Sequence, residues 1–262
     1  IVLGSLVAVF SVVLLKGLPA LSLSMLTQTP KGGYYLGKEG GVLNAIIGSL
    51  YLAAGATGLA FVLSLPIALY LNEYAGNSRF ANFTRFSLDV LWGVPSIVYG
   101  AFAFIVMLSL GARASLLWGI ITVALLMLPI MTRAMDEGMR MFPSKLREAS
   151  YALGSTKLET ALKILTRQAL PAVLTAVLLA FGRGIGDAAS VLFTAGYTDS
   201  VPQSLLDPVA TLPLAVFFQL GTPIPQVQQR AYASGVILLV LVLLLSAVSR
   251  FSTRKLTKYV IK

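Results

Sequence analysis

Six long apolar segments constrain the fold of this 262-residue chain more than any other feature of its sequence. They cover residues 1–21, 43–71, 88–110, 115–135, 168–192 and 231–250. A helix needs about 20 apolar residues to cross the hydrocarbon core of a bilayer, and inside lipid only helices and closed barrels satisfy their own backbone hydrogen bonds. The segments therefore predict an all-α, polytopic transmembrane helical bundle of about six spans, the first of which we expect to be truncated.

The composition excludes several classes of function. Hydrophobic residues make up 57% of the chain and charged residues only 11%, whereas an ordinary soluble domain carries about 25% charged residues. Cysteine and histidine are both absent, which removes thiolate ligands, disulfides and the commonest metal ligand. We therefore expect no metal site and no histidine-dependent catalysis. The basic residues behind the net charge of +10 lie in short stretches between spans, so we expect no nucleic-acid partner either.

The positions of the basic residues predict how the chain is oriented. Fourteen of the 20 Lys and Arg residues lie in 72–87, 133–167 and 250–262, which the predicted spans place on one side of the membrane. By the positive-inside rule this side is cytoplasmic. Both ends of the chain are then cytoplasmic, residues 136–163 form a cytoplasmic loop, and residues 193–230 form an external loop.

The external loop contains an apolar run, ATLPLAVFFQL, that begins at Ala210. This run is too short to cross a bilayer. We interpret it as a re-entrant or interfacial helix at the external mouth, with an ordinary amphipathic surface helix as the alternative.

The charged loop over residues 136–163 predicts a short helix–turn–helix unit. Pro143 and Ser144 suit the start of its first helix, and Gly154 suits the end because glycine accepts a left-handed conformation without steric penalty. Ser155 or Thr156 can then cap a second helix. The unit is expected to project from the membrane.

Within this unit, four residues resemble the EAA loop of bacterial ABC importer permeases: Glu148, Ala149, Ser150 and Gly154. The resemblance implies that the loop docks into a cleft on an ATPase partner and transmits its movement to the membrane helices. Ser150 stands where that family has a second Ala. The alternative is a merely soluble amphipathic loop between two spans.

The resemblance extends over nearly the whole chain. Its motifs are GGVLNAIIGS (40–49), VPSIVYG (94–100), LREASYALG (146–154), GRGIGDAASVLFTA (182–195) and ATLPLAVF (210–217). Together they are similar to the PstA-type permease of the bacterial phosphate ABC importer, within the binding-protein-dependent transport system inner membrane component family. The resemblance implies an ABC type I importer permease fold, with residues 1–262 as a single transmembrane permease domain. It also implies a second related permease, two ATPase subunits that carry ATP and Mg, and an external phosphate-binding protein.

Two charged residues, Arg183 and Asp187, interrupt an otherwise apolar segment. Their spacing of four places them on one face of the predicted helix. A charge at mid-membrane costs at least ~2.5–3.5 kcal/mol on translocon scales, so such residues usually face a cavity or a partner. The guanidinium can donate two parallel hydrogen bonds to an oxyanion, and the carboxylate can accept one from a protonated oxyanion. We predict a substrate pathway here, with a structural ion pair as the alternative.

The family resemblance bears on the same two residues. Arg183 matches the intramembrane arginine of the family, and Asp187 stands where the family usually has Glu. Ser96, which follows Pro95, is a further pathway candidate because it can present a hydroxyl and free backbone amides to an anion. An ordinary helix kink is the alternative at Ser96.

The sequence therefore predicts a permease subunit of an ATP-driven importer that moves inorganic phosphate across the bacterial cytoplasmic (inner) membrane by alternating access. The chain contains no G-x-x-x-x-G-K-[ST] phosphate loop, so we assign ATP hydrolysis to partner subunits and expect no catalysis and no bound cofactor on this chain. The alternatives are a permease for another oxyanion or phosphonate, an ion-coupled secondary transporter, and a membrane scaffold or insertion factor.

Overall fold

The structure, a computed structural model, describes residues 2–31, 39–141 and 143–256, and nearly all regular structure within them is helical. The α-helices are α1 (Val2–Gly17), α2 (Leu23–Thr27), α3 (Leu43–Tyr70), α4 (Arg79–Trp92), α5 (Ser96–Ser109), α6 (Leu116–Arg140), α7 (Ser144–Ala152), α8 (Lys157–Glu159), α9 (Thr166–Gln168), α10 (Leu170–Ile185), α11 (Leu212–Leu220) and α12 (Pro225–Leu256). A 3-10 turn (Leu18–Ala20) follows α1, and π-helical segments cover Leu71–Ala75 and Thr160–Leu165. Two short antiparallel strands, β1 (Pro30–Lys31) and β2 (Glu39–Gly40), pair with each other. The all-α prediction is confirmed.

Four of the described helical stretches are each long and apolar enough to cross a membrane. They are Val2–Ala20, Leu43–Ala75, Leu116–Arg140 and Pro225–Ala247. Two further candidates are broken helix pairs, α4 with α5 and α8–α9 with α10. The described residues thus hold four to six candidate spans, which agrees with the prediction of a polytopic bundle.

Two predicted spans are not continuous helices. The segment 88–110 is divided because α4 ends at Trp92 and α5 begins at Ser96. Proline at position 95 has no N–H to donate and disfavours helical geometry at the residue before it, which explains the break. The segment 168–192 ends its helix early, at Ile185, beside glycines that are poor helix formers.

Other sequence predictions concern the loops. The predicted short helix after Ala210 is confirmed as α11, while its place at an external mouth stays a prediction. Residues 32–38 of the predicted external loop and residues 257–262 of the basic C-terminal run lie outside the described residues.

The described chain forms two compact units, so the assignment of residues 1–262 to a single domain stays a prediction. The first unit comprises Ile1–Gly55, Ser96–Val123 and Ile185–Leu244. In this unit the buried face of α11 packs in a cluster that includes Ala45 and Ala233. The backbone N–H of Leu212 donates to Ser49 Oγ at 2.8 Å. Close approach of this segment to α3 requires a glycine at position 48, because a Cβ there would overlap the carbonyl oxygen of Ala210.

The second unit comprises Ala56–Pro95, Ala124–Gly184 and Leu245–Lys262. Its centre is the inner face of α6, where four fully buried methionines recur every fourth residue: Met127, Met131, Met135 and Met139. This spacing keeps the methionines in one row along the helix. The helix α4 packs nearby through Ala81 and Leu88, together with Leu71.

Substitution of two glycines in α3 tests the packing of this helix. We expect Gly48→Ala to lower the midpoint of thermal unfolding in detergent, because overpacking typically costs about 1–3 kcal/mol. The matched control is Gly58→Ala in the same helix, where the added Cβ has no described atom within 4 Å apart from its chain neighbours and the backbone of its own helix. Because alanine favours a helix interior over glycine by roughly 0.5–1 kcal/mol, the control should not lower the midpoint. Equal midpoints for the two variants would contradict the close approach.

Candidate functional site

Arg183 lies in the last turn of α10, on a face that the chain leaves exposed. Thr175, Leu179 and Gly182 are the exposed residues on the preceding turns of the same face, as the helical period of 3.6 residues requires. Apart from its two chain neighbours and the backbone of its own helix, no described residue comes within 4 Å of the position that a Cβ would take at Gly182. None of the described residues forms a hydrogen bond or ion pair with the guanidinium. The charge of Arg183 therefore points away from the core of its own chain, and the neighbouring residue, Gly182, has no side chain to cover it.

The prediction that Arg183 and Asp187 share one helical face is wrong. Because α10 ends at Ile185, Asp187 lies beyond the helix, in an irregular segment. Its carboxylate Oδ2 accepts a hydrogen bond from the backbone N–H of Ser190 at 2.8 Å. The spacing rule of four residues holds only inside a continuous helix, and the helix stops between the two residues.

Ser96 is the first residue of α5, as its position after Pro95 predicts. The first four amides of a helix have no acceptor within the helix, and Ser96 stands at this end of α5. One turn further on, a Cβ at Gly100 would overlap the carbonyl oxygen of Ser190. The structure thus brings together the elements that carry Ser96 and Asp187. The buried hydroxyl of Ser190 has no hydrogen-bond partner among the described residues, and no local sequence signal pointed to this residue.

The predicted helix–turn–helix unit is confirmed over Ser144–Gln168, and we call it the α7–α9 unit. Its first helix is α7, followed by Gly154 in the left-handed region with φ of +83°. Thr156 caps the second arm through a capping box with Glu159, in which each residue satisfies a free N–H of the other. The hydrogen bonds from the backbone N–H and the hydroxyl of Thr156, together with Lys163, lower the pKa of Glu159.

The four residues that resemble the EAA loop have different surroundings. Glu148, Ala149 and Gly154 are exposed. Ser150 is buried, and its hydroxyl forms a hydrogen bond of 2.8 Å with the hydroxyl of Thr160, which joins the two arms of the unit. Next to Gly154, the side chain of Leu153 is 87% exposed. The unit therefore presents Glu148, Ala149 and Leu153 outward and uses Ser150 internally.

The attachment of α7 to the π-helical segment after α3 was not predicted from the sequence. The hydroxyl of Tyr151 donates to Glu73 Oε1, and the Nε atom of Arg147 lies 3.6 Å from Glu73 Oε2. Arg147 Nη1 also donates to the carbonyl oxygen of Asn72 at 3.3 Å. The available signal was an acidic residue, Glu73, directly after an apolar span, but its partners lie more than 70 residues away in sequence.

A second missed feature is the carboxylate of Asp136, which is wholly buried in α6. It accepts hydrogen bonds from Arg85 Nε at 2.9 Å, from Arg133 Nη1 at 3.0 Å and from Asn72 Nδ2 at 2.8 Å. Arg133 also reaches Asp89 Oδ1 at 2.6 Å. Buried charges of this kind are paired because an unpaired charge in a low-dielectric interior is strongly unfavourable.

Comparison with known proteins places the chain in a family. The family described as binding-protein-dependent transport system inner membrane component matches residues 64–260. The chain belongs to this family. The matched range contains the α7–α9 unit, Arg183, Asp187 and Ser96, so every candidate residue of the sequence analysis lies inside the family region.

Three relatives carry the name phosphate transport system permease protein. PstA of Haemophilus influenzae is 35% identical over 236 residues, which are 90% of this chain and 82% of that protein. PstA of Mycobacterium leprae is 37% identical over 245 residues, which are 92% and 80% of the two chains. PstA 1 of Mycobacterium tuberculosis is 40% identical over 186 residues, which are 70% and 61% of the two chains. The resemblance inferred from the sequence motifs is confirmed.

A solved structure supports the fold of this family member. A chain of the MetNI methionine ABC transporter, in an inward-facing conformation, aligns with a TM-score of 0.66 at 18% sequence identity. The alignment covers 82% of this chain and 95% of that chain. The predicted ABC type I importer permease fold is thereby confirmed, and the helices together with the family indicate a multi-pass inner-membrane protein.

Substitution of Arg85 tests the buried ion pair with Asp136. The two side chains are 7% and 0% exposed, so Arg85→Ala leaves part of a buried negative charge without its partner. Breaking a buried pair by removing one member typically costs about 3–5 kcal/mol. We expect a clearly lower midpoint of thermal unfolding for the purified Arg85→Ala variant in detergent than for the native chain. The control Arg79→Ala removes an exposed arginine from the same helix and should leave the midpoint within error. An unchanged midpoint of thermal unfolding in Arg85→Ala would contradict the role of this ion pair in stabilising the fold.

Proposed function

We propose that the chain is the permease subunit of an ATP-driven importer that moves inorganic phosphate by alternating access. The carrying observation is an arginine, Arg183, that is exposed on an apolar helix without a partner among the described residues. The names of the relatives, which are phosphate transport system permease proteins, support the cargo. Membership of the inner membrane component family supports the role as permease.

Arg183 supports a substrate pathway because a charge exposed toward lipid is expensive in hydrocarbon. A second, related permease that covers this face of α10 would remove the guanidinium from lipid and leave an aqueous path between the two permeases. Gly182 beside Arg183 keeps this path free of side-chain bulk. The planar guanidinium can then donate two parallel hydrogen bonds to phosphate oxygens.

Asp187 and Ser96 are the other two residues that we propose for the substrate pathway. The first-turn amides of α5 and the hydroxyl of Ser96 are suited to oxyanion oxygens, since helix N-termini favour negative charge. The carboxylate of Asp187 already accepts one N–H through Oδ2 and can accept the proton of hydrogen phosphate. An oxyanion without a proton offers no donor to the other carboxylate oxygen, and a site built to hydrogen-bond a ligand discriminates against one that lacks the matching group. This arrangement favours hydrogen phosphate over sulfate.

The α7–α9 unit supplies the connection to ATP hydrolysis. Its outward residues Glu148, Ala149 and Leu153 form a small apolar surface with one carboxylate, which suits docking into a cleft of an ATPase partner. Gly154 allows the tight turn between the two arms, and Ser150 holds the arms together. ATP and Mg belong to two partner ATPase subunits, so this permease is not itself catalytic, and an external phosphate-binding protein delivers the anion.

The orientation is part of the same proposal. The α7–α9 unit and the stretches richest in Lys and Arg lie on the cytoplasmic side, with both ends of the chain, as the positive-inside rule favours. Membrane lipid surrounds the remaining apolar faces of the helices.

A second candidate cargo follows from the acid at position 187. Aspartate is shorter than the glutamate usual in the resembled family, so the distance between carboxylate and anion differs. A permease for another oxyanion or a phosphonate is the corresponding alternative. An ion-coupled secondary transporter needs no ATPase and leaves the exposed surface of α7 without a role.

The experiment that tests class and cargo is ATP hydrolysis in proteoliposomes. The sample contains this chain with its co-expressed partners and binding proteins loaded with phosphate, sulfate or phosphonate. We expect stimulation by the phosphate-loaded binding protein alone. Stimulation by another anion would contradict the assignment of phosphate as the cargo. The absence of any associated ATPase would contradict the proposal that the chain is part of an ATP-driven importer.

Arg183→Ala tests the pathway. We expect uptake of phosphate to fall by about 100-fold or more, the effect of removing a principal oxyanion donor, while the subunits still copurify. The control Arg167→Ala removes another exposed arginine, in α9, and should retain uptake. Undiminished uptake in the Arg183 variant would rule out the oxyanion role.

Leu153→Ser tests the docking surface. Because this side chain is 87% exposed on the chain alone, the substitution should spare the thermal stability of the permease and reduce the amount of ATPase that copurifies. Leu206→Ser is the control, since Leu206 is 71% exposed in the predicted external loop. Equal recovery of ATPase with the two variants would argue against docking at Leu153.

A further inference from the structure

The carboxylate of Glu73 lies at the point where α7 meets the end of α3. Its side chain is only 1% exposed. Tyr151 donates to one carboxylate oxygen, and Arg147 Nε lies 3.6 Å from the other. Neither Glu73 Oε2 nor Arg147 Nε has a hydrogen-bond partner among the described residues. Glu73 is therefore the group on which Arg147 and Tyr151 of α7 converge.

The two α7 residues are one helical turn apart, so they act from a single face of the helix. Arg147 makes a second contact with the same stretch of chain, because its Nη1 atom donates to the carbonyl oxygen of Asn72. The second arm adds a contact next to these residues, where Lys157 Nζ lies 5.8 Å from the ring centroid of Tyr74. The α7–α9 unit thus contacts three consecutive residues, Asn72, Glu73 and Tyr74.

These three residues belong to the π-helical segment Leu71–Ala75. A π-helical turn departs from the regular hydrogen-bond ladder and is frequent at functional sites. Here the departure coincides with contacts to two other helices. Arg85 of α4 donates to the carbonyl oxygens of Leu71 at 3.1 Å and of Gly76 at 2.8 Å. The amide of Asn72 donates to Asp136 Oδ1 of α6.

The Leu71–Ala75 segment is consequently attached on both sides. Charged and polar groups of α7 hold it from one side, and Arg85 and Asp136 hold it from the other. Hydrogen bonds and ion pairs thus connect α7 to the Leu71–Ala75 segment, and this segment to α4 and α6. Apolar contacts alone would allow α7 to slide, since they have no preferred direction.

We propose that Glu73, with Arg147 and Tyr151, is the joint that makes α7 move together with the membrane helices. This proposal rests on the proposed function, in which an ATPase displaces the α7–α9 unit. The three side chains are positioning residues that touch neither ATP nor the anion. Loss of the joint uncouples the complex, so that ATP is hydrolysed while fewer anions move per ATP.

The test uses the whole transporter in proteoliposomes and compares Glu73→Gln, Arg147→Gln and Tyr151→Phe with the native chain. The quantity measured is anions transported per ATP hydrolysed, with whichever anion stimulates the native complex. We expect this ratio to fall at least about fivefold, the smallest factor typical of coupling between two binding sites, taken here as the threshold for a loss of coupling. The ATPase still copurifies with each variant. A merely structural role would lower yield and stability without a selective change in this ratio.

The control for charge removal is Lys163→Gln, which breaks the ion pair of 3.3 Å with Glu159 in the same unit. These side chains are 74% and 46% exposed, and exposed pairs contribute little. The ratio of the control should match that of the native chain. Tyr151→Phe removes a single hydroxyl, so it keeps the proposal testable if Glu73→Gln does not assemble.

A second measurement needs no cargo. The chain has no cysteine, so spin labels can be attached at Ala152→Cys in α7 and Asn77→Cys beyond the π-helical segment, both exposed positions. We expect one narrow distance distribution with and without nucleotide, and a broad, nucleotide-dependent one after Glu73→Gln. A distribution that stays narrow, or a native ratio in Tyr151→Phe and Arg147→Gln, would overturn the joint. If the native complex moves no anion, the proposed function fails while the distances still test the joint.

Discussion

The structure of the second unit depends on one buried carboxylate, that of Asp136. A charge in this interior is tolerated only with partners, and Asp136 has partners in three helical elements. They are Arg85 of α4, Asn72 of the π-helical segment after α3, and Arg133 of its own helix α6. Because each partner is fixed by further hydrogen bonds, the requirement to satisfy one charge determines how these helices meet. Replacing a buried ion pair by apolar residues can leave stability unchanged. We therefore infer that the ion pair of Arg85 with Asp136 serves to fix the relative positions of the helices more than to stabilise the fold.

The α7–α9 unit shows the same logic on a smaller scale. Local interactions shape it: Gly154 permits the turn, and the capping box of Thr156 with Glu159 starts the second arm. The hydrogen bond of Ser150 with Thr160 holds the two arms together. Because these groups satisfy one another, the outward residues are free for a partner, while Arg147 and Tyr151 face Glu73.

Much of this could be predicted from local sequence. Apolar length identified the spans, and the left-handed glycine and the N-cap of the α7–α9 unit follow from rules that involve neighbouring residues. Hydropathy counts side chains and ignores backbone breaks, so the ends of α4 at Trp92 and of α10 at Ile185 were missed. The joint at Glu73 could not be inferred, since its partners are distant in sequence and only the fold brings them together.

The buried row of methionines on α6 has a chemical consequence. Without cysteine, the seven methionines hold all the sulfur of the chain, and four of them lie on this row without exposure to solvent. Methionine is unbranched and adaptable, which suits a face that repacks, yet oxidation converts it to a polar sulfoxide. An oxidant reaches these sulfur atoms only when α6 separates from its neighbours. The extent of oxidation at each methionine would therefore report how often α6 separates from its neighbours and which part of the helix becomes accessible.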